Sequence, residues 1–263
     1  MIKKRIIFAL LYQDGYFYLS RNFKLQKVGN LNWLINNFGF GETSNYIDEL
    51  ICLLVKKDPT EKDKKIFFAD INKLRKKIFI PITLGGGIRD VGDVTAYFNN
   101  GADKVLLNSA IFKENLTKEI SQVYGDQAIS IMIDYQNNEN GEDQIFINCG
   151  TKFKMNLSEF FKKMKKLNFG EIIFNSIEND GTGNGLDLNI IKKIPNSWRK
   201  KPILLMGGAG KPDHIAEGLK LGTVSGIITA NLFNFLGTGL KESRKKSIEQ
   251  NINLADFSSK NIL

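Results

Sequence analysis

The 263-residue chain has one histidine, His214, and two cysteines, Cys52 and Cys149. A single histidine leaves no room for a histidine-based metal site or a Ser-His-Asp triad unless His214 serves it. His214 falls early in an expected helix after Gly210-Lys211-Pro212, where a surface role fits better. Two distant cysteines in apolar or strand-like settings exclude a disulfide framework and fit a reducing compartment. No run of about 18 apolar residues occurs, so no transmembrane helix is expected. The opening MIKKRIIFALL is basic and then apolar, but Tyr12-Gln13-Asp14-Gly15 interrupts it without a small-residue cleavage site. It reads as a buried strand of a cytoplasmic protein. The net charge is +9, yet the lysines are scattered and no nucleic-acid recognition motif accompanies them, so nucleic acid is not an expected partner. A basic cleft also suits a phosphorylated substrate.

What the chain does have is an internal repeat. Leu84-Gly85-Gly86-Gly87-Ile88-Arg89-Asp90 recurs as Met206-Gly207-Gly208-Ala209-Gly210-Lys211-Pro212. A slide of 121 residues puts Pro81 on Pro202, Gly86 on Gly207, Gly87 on Gly208, Gly101 on Gly222 and Phe112 on Phe233. A slide of 122 puts Glu49 on Glu171, and one of 123 puts Tyr12 on Tyr135 and Gln13 on Gln136. Eight short apolar runs alternate with amphipathic stretches: Lys4–Leu11, Glu49–Val55, Ile82–Leu84, Lys104–Leu107, Ile129–Ile133, Glu171–Asn175, Ile203–Met206 and Gly226–Thr229. Continuous apolar strands are those of a parallel sheet covered on both faces. Helical patterns between them include Val91–Asn100, Leu157–Leu167, Leu188–Ile194 and Pro212–Leu221. Eight such units predict a single α/β domain, a (β/α)8 barrel of two repeated half-barrels, about 1–121 and 122–245. Gly39–Tyr46 reads as a loop and 251–263 as a poorly ordered tail.

In such a barrel the chemistry lies at the C-terminal ends of the strands. Gly86 and Gly87 follow the third strand and precede a helix, where backbone N–H groups can approach an anion without Cβ clashes. Asn108 and Ser109 follow the next strand and could add donors. Gly207 and Gly208, with Ala230 and Asn231, repeat the arrangement after the last two strands, the habitual phosphate position of this architecture. Glycines alone make tight βα turns; two copies in register favour two phosphate sites and a substrate with a phosphate at each end. Asp134 ends the fifth strand after three apolar residues and is a candidate general acid or base, or a cap. Glu178 and Asp180 follow the sixth strand and could aim a second carboxylate inward, or form a solvated turn. The repeat superposes Asp134 on Leu11, which cannot transfer a proton. At the opposite rim Arg5, Glu49, Lys104 and Glu171 open four strands, and their burial requires that they neutralise one another as a ring, either a plug or a polar gate.

These residues resemble the HisF family, the cyclase subunit of imidazole glycerol phosphate synthase. The likeness runs from Lys4 to about Phe233 and includes Lys4-Arg5-Ile6-Ile7, Asp14-Gly15, Asn22-Phe23, Asp48-Glu49-Leu50, Gly85-Gly86-Gly87-Ile88, Gly101-Ala102-Asp103-Lys104-Val105, Ser176-Ile177, Asp180-Gly181-Thr182 and Gly207-Gly208-Ala209-Gly210-Lys211. The resemblance implies a barrel that receives ammonia from a HisH-type glutaminase docked on its N-terminal face. Arg5, Glu49, Lys104 and Glu171 match the family's ammonia gate, and Asp103 matches a position near the partner interface. No metal or cofactor is implied. The family's paired aspartates fall on Leu11 and Asp134, a second-strand aspartate on Leu54, a first-loop lysine on Leu19, and a serine on Met206. The resemblance therefore points to a paralogue of the type associated with sugar amidation, forming an acetamidino group on a surface-glycan sugar from a phosphorylated or nucleotide-sugar substrate. An ordinary histidine-pathway cyclase, with Asp14 or Glu178 supplying the missing acid, is the alternative. A non-catalytic subunit that only activates the glutaminase and channels ammonia is a third.

Overall fold

A computed structural model describes residues 3–231, 235 and 238–255. Eight parallel strands close on themselves in the order β1 (Arg5–Gln13), β4 (Glu49–Leu54), β5 (Ile82–Gly85), β6 (Lys104–Leu107), β7 (Ile129–Asn137), β10 (Glu171–Ser176), β11 (Ile203–Met206) and β12 (Val224–Thr229), with β12 pairing back onto β1. The chain is a (β/α)8 barrel of two half-barrels. Each strand is followed by helix: α1 (Leu31–Phe38) and α2 (Phe40–Thr43), α3 (Glu61–Arg75), α4 (Val91–Asn99), α5 (Leu116–Tyr124), α6 (Leu157–Lys163), α7 (Ile190–Lys193), α8 (Pro212–Lys220) and α9 (Gly239–Glu249). Outward side chains of the strands meet the helices in a continuous outer core that contains Phe67, Tyr97, Phe160 and Trp198. No helix among the described residues is long and apolar enough to cross a membrane.

The half-barrels share a feature that apolar runs do not announce. After the first strand of each half the chain turns back as a β-hairpin: β2 (Tyr16–Arg21) with β3 (Lys24–Gly29), and β8 (Asp143–Ile147) with β9 (Lys152–Asn156). β1 and β7 run past the barrel rim to reach them, pairing Leu11 with Tyr18 and Asp134 with Phe146. The predicted ends at Leu11 and Ile133 were short because the extensions are half-polar strands held by hairpin pairing rather than by burial on both faces. Gly39–Tyr46, expected as a loop, is instead helix α2 and a 3-10 turn at Ser44–Tyr46. Phe40 anchors it, fully buried with its ring 6.1 Å from that of Phe8. The expected tail is ordered at its start: Leu254 is buried and bridges Lys4. Residues 256–263 lie outside the described residues.

Candidate functional site

Period-two alternation sorts the barrel interior into layers. On β1 the inward residues are Arg5, Ile7, Ala9 and Leu11; on β4 they are Glu49, Ile51 and Leu53; on β10 they are Glu171, Ile173 and Asn175. The bottom layer is charged. Arg5 donates to Glu49 at 2.8 Å and to Glu171 at 2.7 Å, and Lys104 reaches Glu49 and Glu171 at 3.0 Å each. The four side chains thus form a closed ring of alternating sign, and Thr83 and Ser130 each donate a hydroxyl to one of its carboxylates at 2.6 Å. Burial pushes Glu171 up, but the charges of Arg5 and Lys104 and the Ser130 hydroxyl outweigh it and hold the carboxyl below its ordinary value. Asp103 lies one residue before Lys104 on this rim, exposed, its carboxylate accepting from the Ile82 N–H at 2.8 Å. Above the ring the axis is apolar, packed with Ile7, Ile51, Leu106, Met132, Leu204 and Ile228.

At the top the axis opens into a cavity of about 460 Å³. Leu11 and Asp134, from strands four apart around the barrel, both line it, together with Asn175, Asp180, Met206 and the first glycine turn. Asp134 accepts from Asn175 at 2.8 Å and from Asn108 at 3.1 Å. Burial is the main reason its carboxyl is pushed up to about 7; the two amide donors oppose that shift and the charge of Asp180 adds to it. The side-chain amide oxygen of Asn175, Oδ1, is buried without a partner among the described residues, an unfilled acceptor beside the acid. Strand parity (Glu171, Ile173, Asn175) could have pointed to Asn175; the sequence reading missed it.

The raised carboxyl has a thermodynamic consequence with a definite sign. Between about pH 4 and pH 7 folded Asp134 keeps a proton that the unfolded chain releases, so this group makes stability fall as pH rises through that window. The full effect is on the order of 4 kcal/mol above about pH 7. Asp134→Asn is therefore expected to raise Tm in a pH 8 buffer and to leave it nearly unchanged near pH 4. Equal shifts at both pH values would contradict the raised carboxyl.

The structure brings Asp180, not Glu178 or Asp14, to the cavity. Glu178 is exposed, its backbone carbonyl accepting from Asn22 at 2.8 Å. Asp14 sits in the β1–β2 turn, exposed and paired with Lys56 at 2.7 Å. Asp180 is buried; its carboxylate takes the Ser20 hydroxyl and the Phe23 N–H, and burial raises it despite both donors. Leu54 lines the first cavity, Leu19 the second and Met206 both.

Gly86 and Gly87 form the first turn with φ of 108° and 64°, Gly207 and Gly208 the second with φ of 96° each. A Cβ at Gly86 would stand 2.2 Å from the Leu54 carbonyl oxygen, and one at Gly208 2.0 Å from that of Gly185. Gly208→Ala is accordingly expected to cost several kcal/mol, read as a lower denaturant midpoint; an unchanged midpoint would mean that the turn relaxes freely. Asn108 lines the same cavity as the first glycine turn; parity with Lys104 and Leu106 turns it inward, and its amide donates to Asp134 and to the Met132 carbonyl. Ser109 lines the first cavity and is tied to Asn148 of the β8–β9 turn. Ala230 and Asn231 line a second cavity, about 250 Å³, with Gly207 and Gly208. His214 is not a detached surface residue; its Nδ1 accepts from the Gly210 N–H at 3.2 Å and ties α8 to the second turn.

Residues 45–238 match the family model described as histidine biosynthesis protein. A Parasynechococcus marenigrum (strain WH8102) protein, provisionally named imidazole glycerol phosphate synthase subunit hisF2, is 42% identical over 249 residues, 94% of this chain and 91% of its own length. The imidazole glycerol phosphate synthase subunit HisF of Leptospira biflexa serovar Patoc (strain Patoc 1 / Ames) is 33% identical over 211 residues, covering 79% of this chain and 82% of that protein.

Proposed function

The chain belongs to the histidine biosynthesis protein family as a HisF-like barrel, and from that membership we propose that it is the ammonia-accepting subunit of a complex with a HisH-type glutaminase. Its acceptor is a phosphorylated or nucleotide-linked sugar, amidated to an acetamidino group, rather than the substrate of imidazole ring closure. The observation that carries the proposal is the pairing across the upper cavity: Leu11 faces Asp134 above a charged ring that is complete. Ring closure in the family pattern uses an acid on each side, and a leucine can neither donate nor accept a proton.

In this reading the ring of Arg5, Glu49, Lys104 and Glu171 admits ammonia from a partner seated near Asp103. The apolar axis above it favours a neutral molecule over ammonium, because a charge there would be desolvated without a partner. Nitrogen adds to the acetamido carbon of an acceptor whose amide oxygen arrives already phosphorylated, that oxygen leaves with the phosphate, and Asp134, pushed up to about 7, takes the proton released from nitrogen while the two glycine turns hold the acceptor's anionic ends. No cofactor or metal enters the step, and nucleic acid and membrane are no part of it.

The alternative, an ordinary histidine-pathway cyclase, draws support from Asp180, which lines the same cavity as Asp134. Both of its strong contacts are spent on the β2–β3 hairpin, which favours a holding role over proton transfer. Complementation separates the two readings. Expressed with its glutaminase in a histidine auxotroph lacking HisF, this chain is expected not to restore growth; growth without histidine would favour the cyclase.

A further inference from the structure

The β2–β3 hairpin stands between the two cavities as a wall with two different faces. Leu19, Arg21, Lys24 and Gln26 line only the second cavity, whereas Phe23 and Leu25 line only the first. The pleat dictates this division: Arg21 pairs with Lys24 and Leu19 with Gln26 across the hairpin, so all four project from one face, while Ser20 and Leu25 pair on the other. Two cations therefore stand side by side at the rim of the second glycine turn. Neither Arg21 nor Lys24 has an ion pair or side-chain hydrogen bond among the described residues, in contrast to Arg89 and Lys56 near the first turn, which are each engaged by two carboxylates.

The hairpin is also held in place. Asn22 donates its backbone N–H to Asp180 O at 2.9 Å and its amide to the carbonyls of Ile177 and Glu178; Ser20 and Phe23 bind the Asp180 carboxylate. Gly181 packs so closely beneath that an added Cβ would lie 2.0 Å from the Ser20 carbonyl oxygen. The cations are thus mounted on a fixed wall opposite Gly207 and Gly208.

We infer that Arg21 and Lys24 form an anion clamp over the second glycine turn, so that this subsite takes a dianionic phosphate group held between backbone N–H groups below and two side-chain cations above. The inference rests on the reading of the glycine turns as phosphate sites and adds specific residues to one of them. Arg21 shares its side-chain parity with Leu19 and stands on the same face of β2, toward the second cavity. A planar guanidinium suits a phosphate's paired oxygens, and Lys24 supplies a point charge beside it.

The test uses the full chain and inorganic phosphate, followed by backbone amide NMR. Amides of Gly207 and Gly208 report the second site, those of Gly86 and Gly87 the first. Arg21→Ala is expected to weaken phosphate about tenfold at Gly207 and Gly208, the scale of one charge-assisted hydrogen bond, with less than about a twofold change at Gly86 and Gly87. Lys24→Ala is expected to act in the same direction, and Arg21→Lys to recover only part of the loss, keeping the charge but not the paired donors. Equal titrations of Arg21→Ala and the unaltered chain at Gly207 and Gly208 would overturn the clamp while leaving the glycine sites standing. If phosphate moves neither glycine pair in the unaltered chain, the clamp and the phosphate reading beneath it both fall.

Discussion

Replacing Asp134 by Asn is expected to lower product formation by the assembled complex by about a hundredfold or more, the usual scale for losing a positioned acid or base. Glutamine hydrolysis by the partner should persist, because Asp134 lies at the end of the axis remote from the charged ring. The pH profile of the unaltered protein supplies a second readout. A proton acceptor pushed up to about 7 works only when ionised, so the rate should climb through roughly neutral pH and level off above it. A purely channelling subunit would show neither effect. Undiminished product from Asp134→Asn would support that scaffold role and end the assignment of Asp134 to proton transfer.

Opening the charged ring is expected to have the largest effect on stability. Glu171→Ala removes the carboxylate that Arg5 and Lys104 share and leaves two partly buried cations facing one another with only Glu49 between them. Breaking a buried pair from one side costs about 3–5 kcal/mol, because the remaining charge stays desolvated. For a chain of this size that is a fall in Tm of roughly 10 °C. Replacing the ring as a whole by apolar residues of similar volume should cost much less, since no charge is then stranded. A thermal scan of Glu171→Ala within a degree or two of the unaltered protein would show that water enters the ring and screens it.

The barrel was legible because each of its strands is buried on both faces and so carries an unbroken apolar run; every one of the eight runs became a strand. The internal repeat supplied the rest, since two glycine turns in register place two equivalent strand ends. The hairpins were not legible from the same signal. Their residues alternate between two open cavities, with Leu19 and Arg21 on one face and Ser20 on the other, and that short half-polar alternation resembles loop. Missing the hairpins meant missing what they carry: Ser20 on Asp180, and Arg21 and Lys24 at the second turn. The second partner of Asn108 escaped the sequence for a related reason. The place of Asn108 after a strand suggested an anion donor, and parity along β6 also turns it toward Asp134. The four-residue ring was readable because charge at the start of a buried strand has few stable explanations other than a mutual pairing.

The upper cavity has an acid from β7 and none from β1, and the proposed function draws from this that imidazole ring closure is not its chemistry. The most direct measurement supplies the purified protein with ammonium and the bis-phosphorylated ribulosyl substrate of the histidine pathway and follows imidazole product. The expected result is no robust turnover from the unaltered chain. Sustained imidazole formation, unaffected by Leu11→Asp, would contradict it.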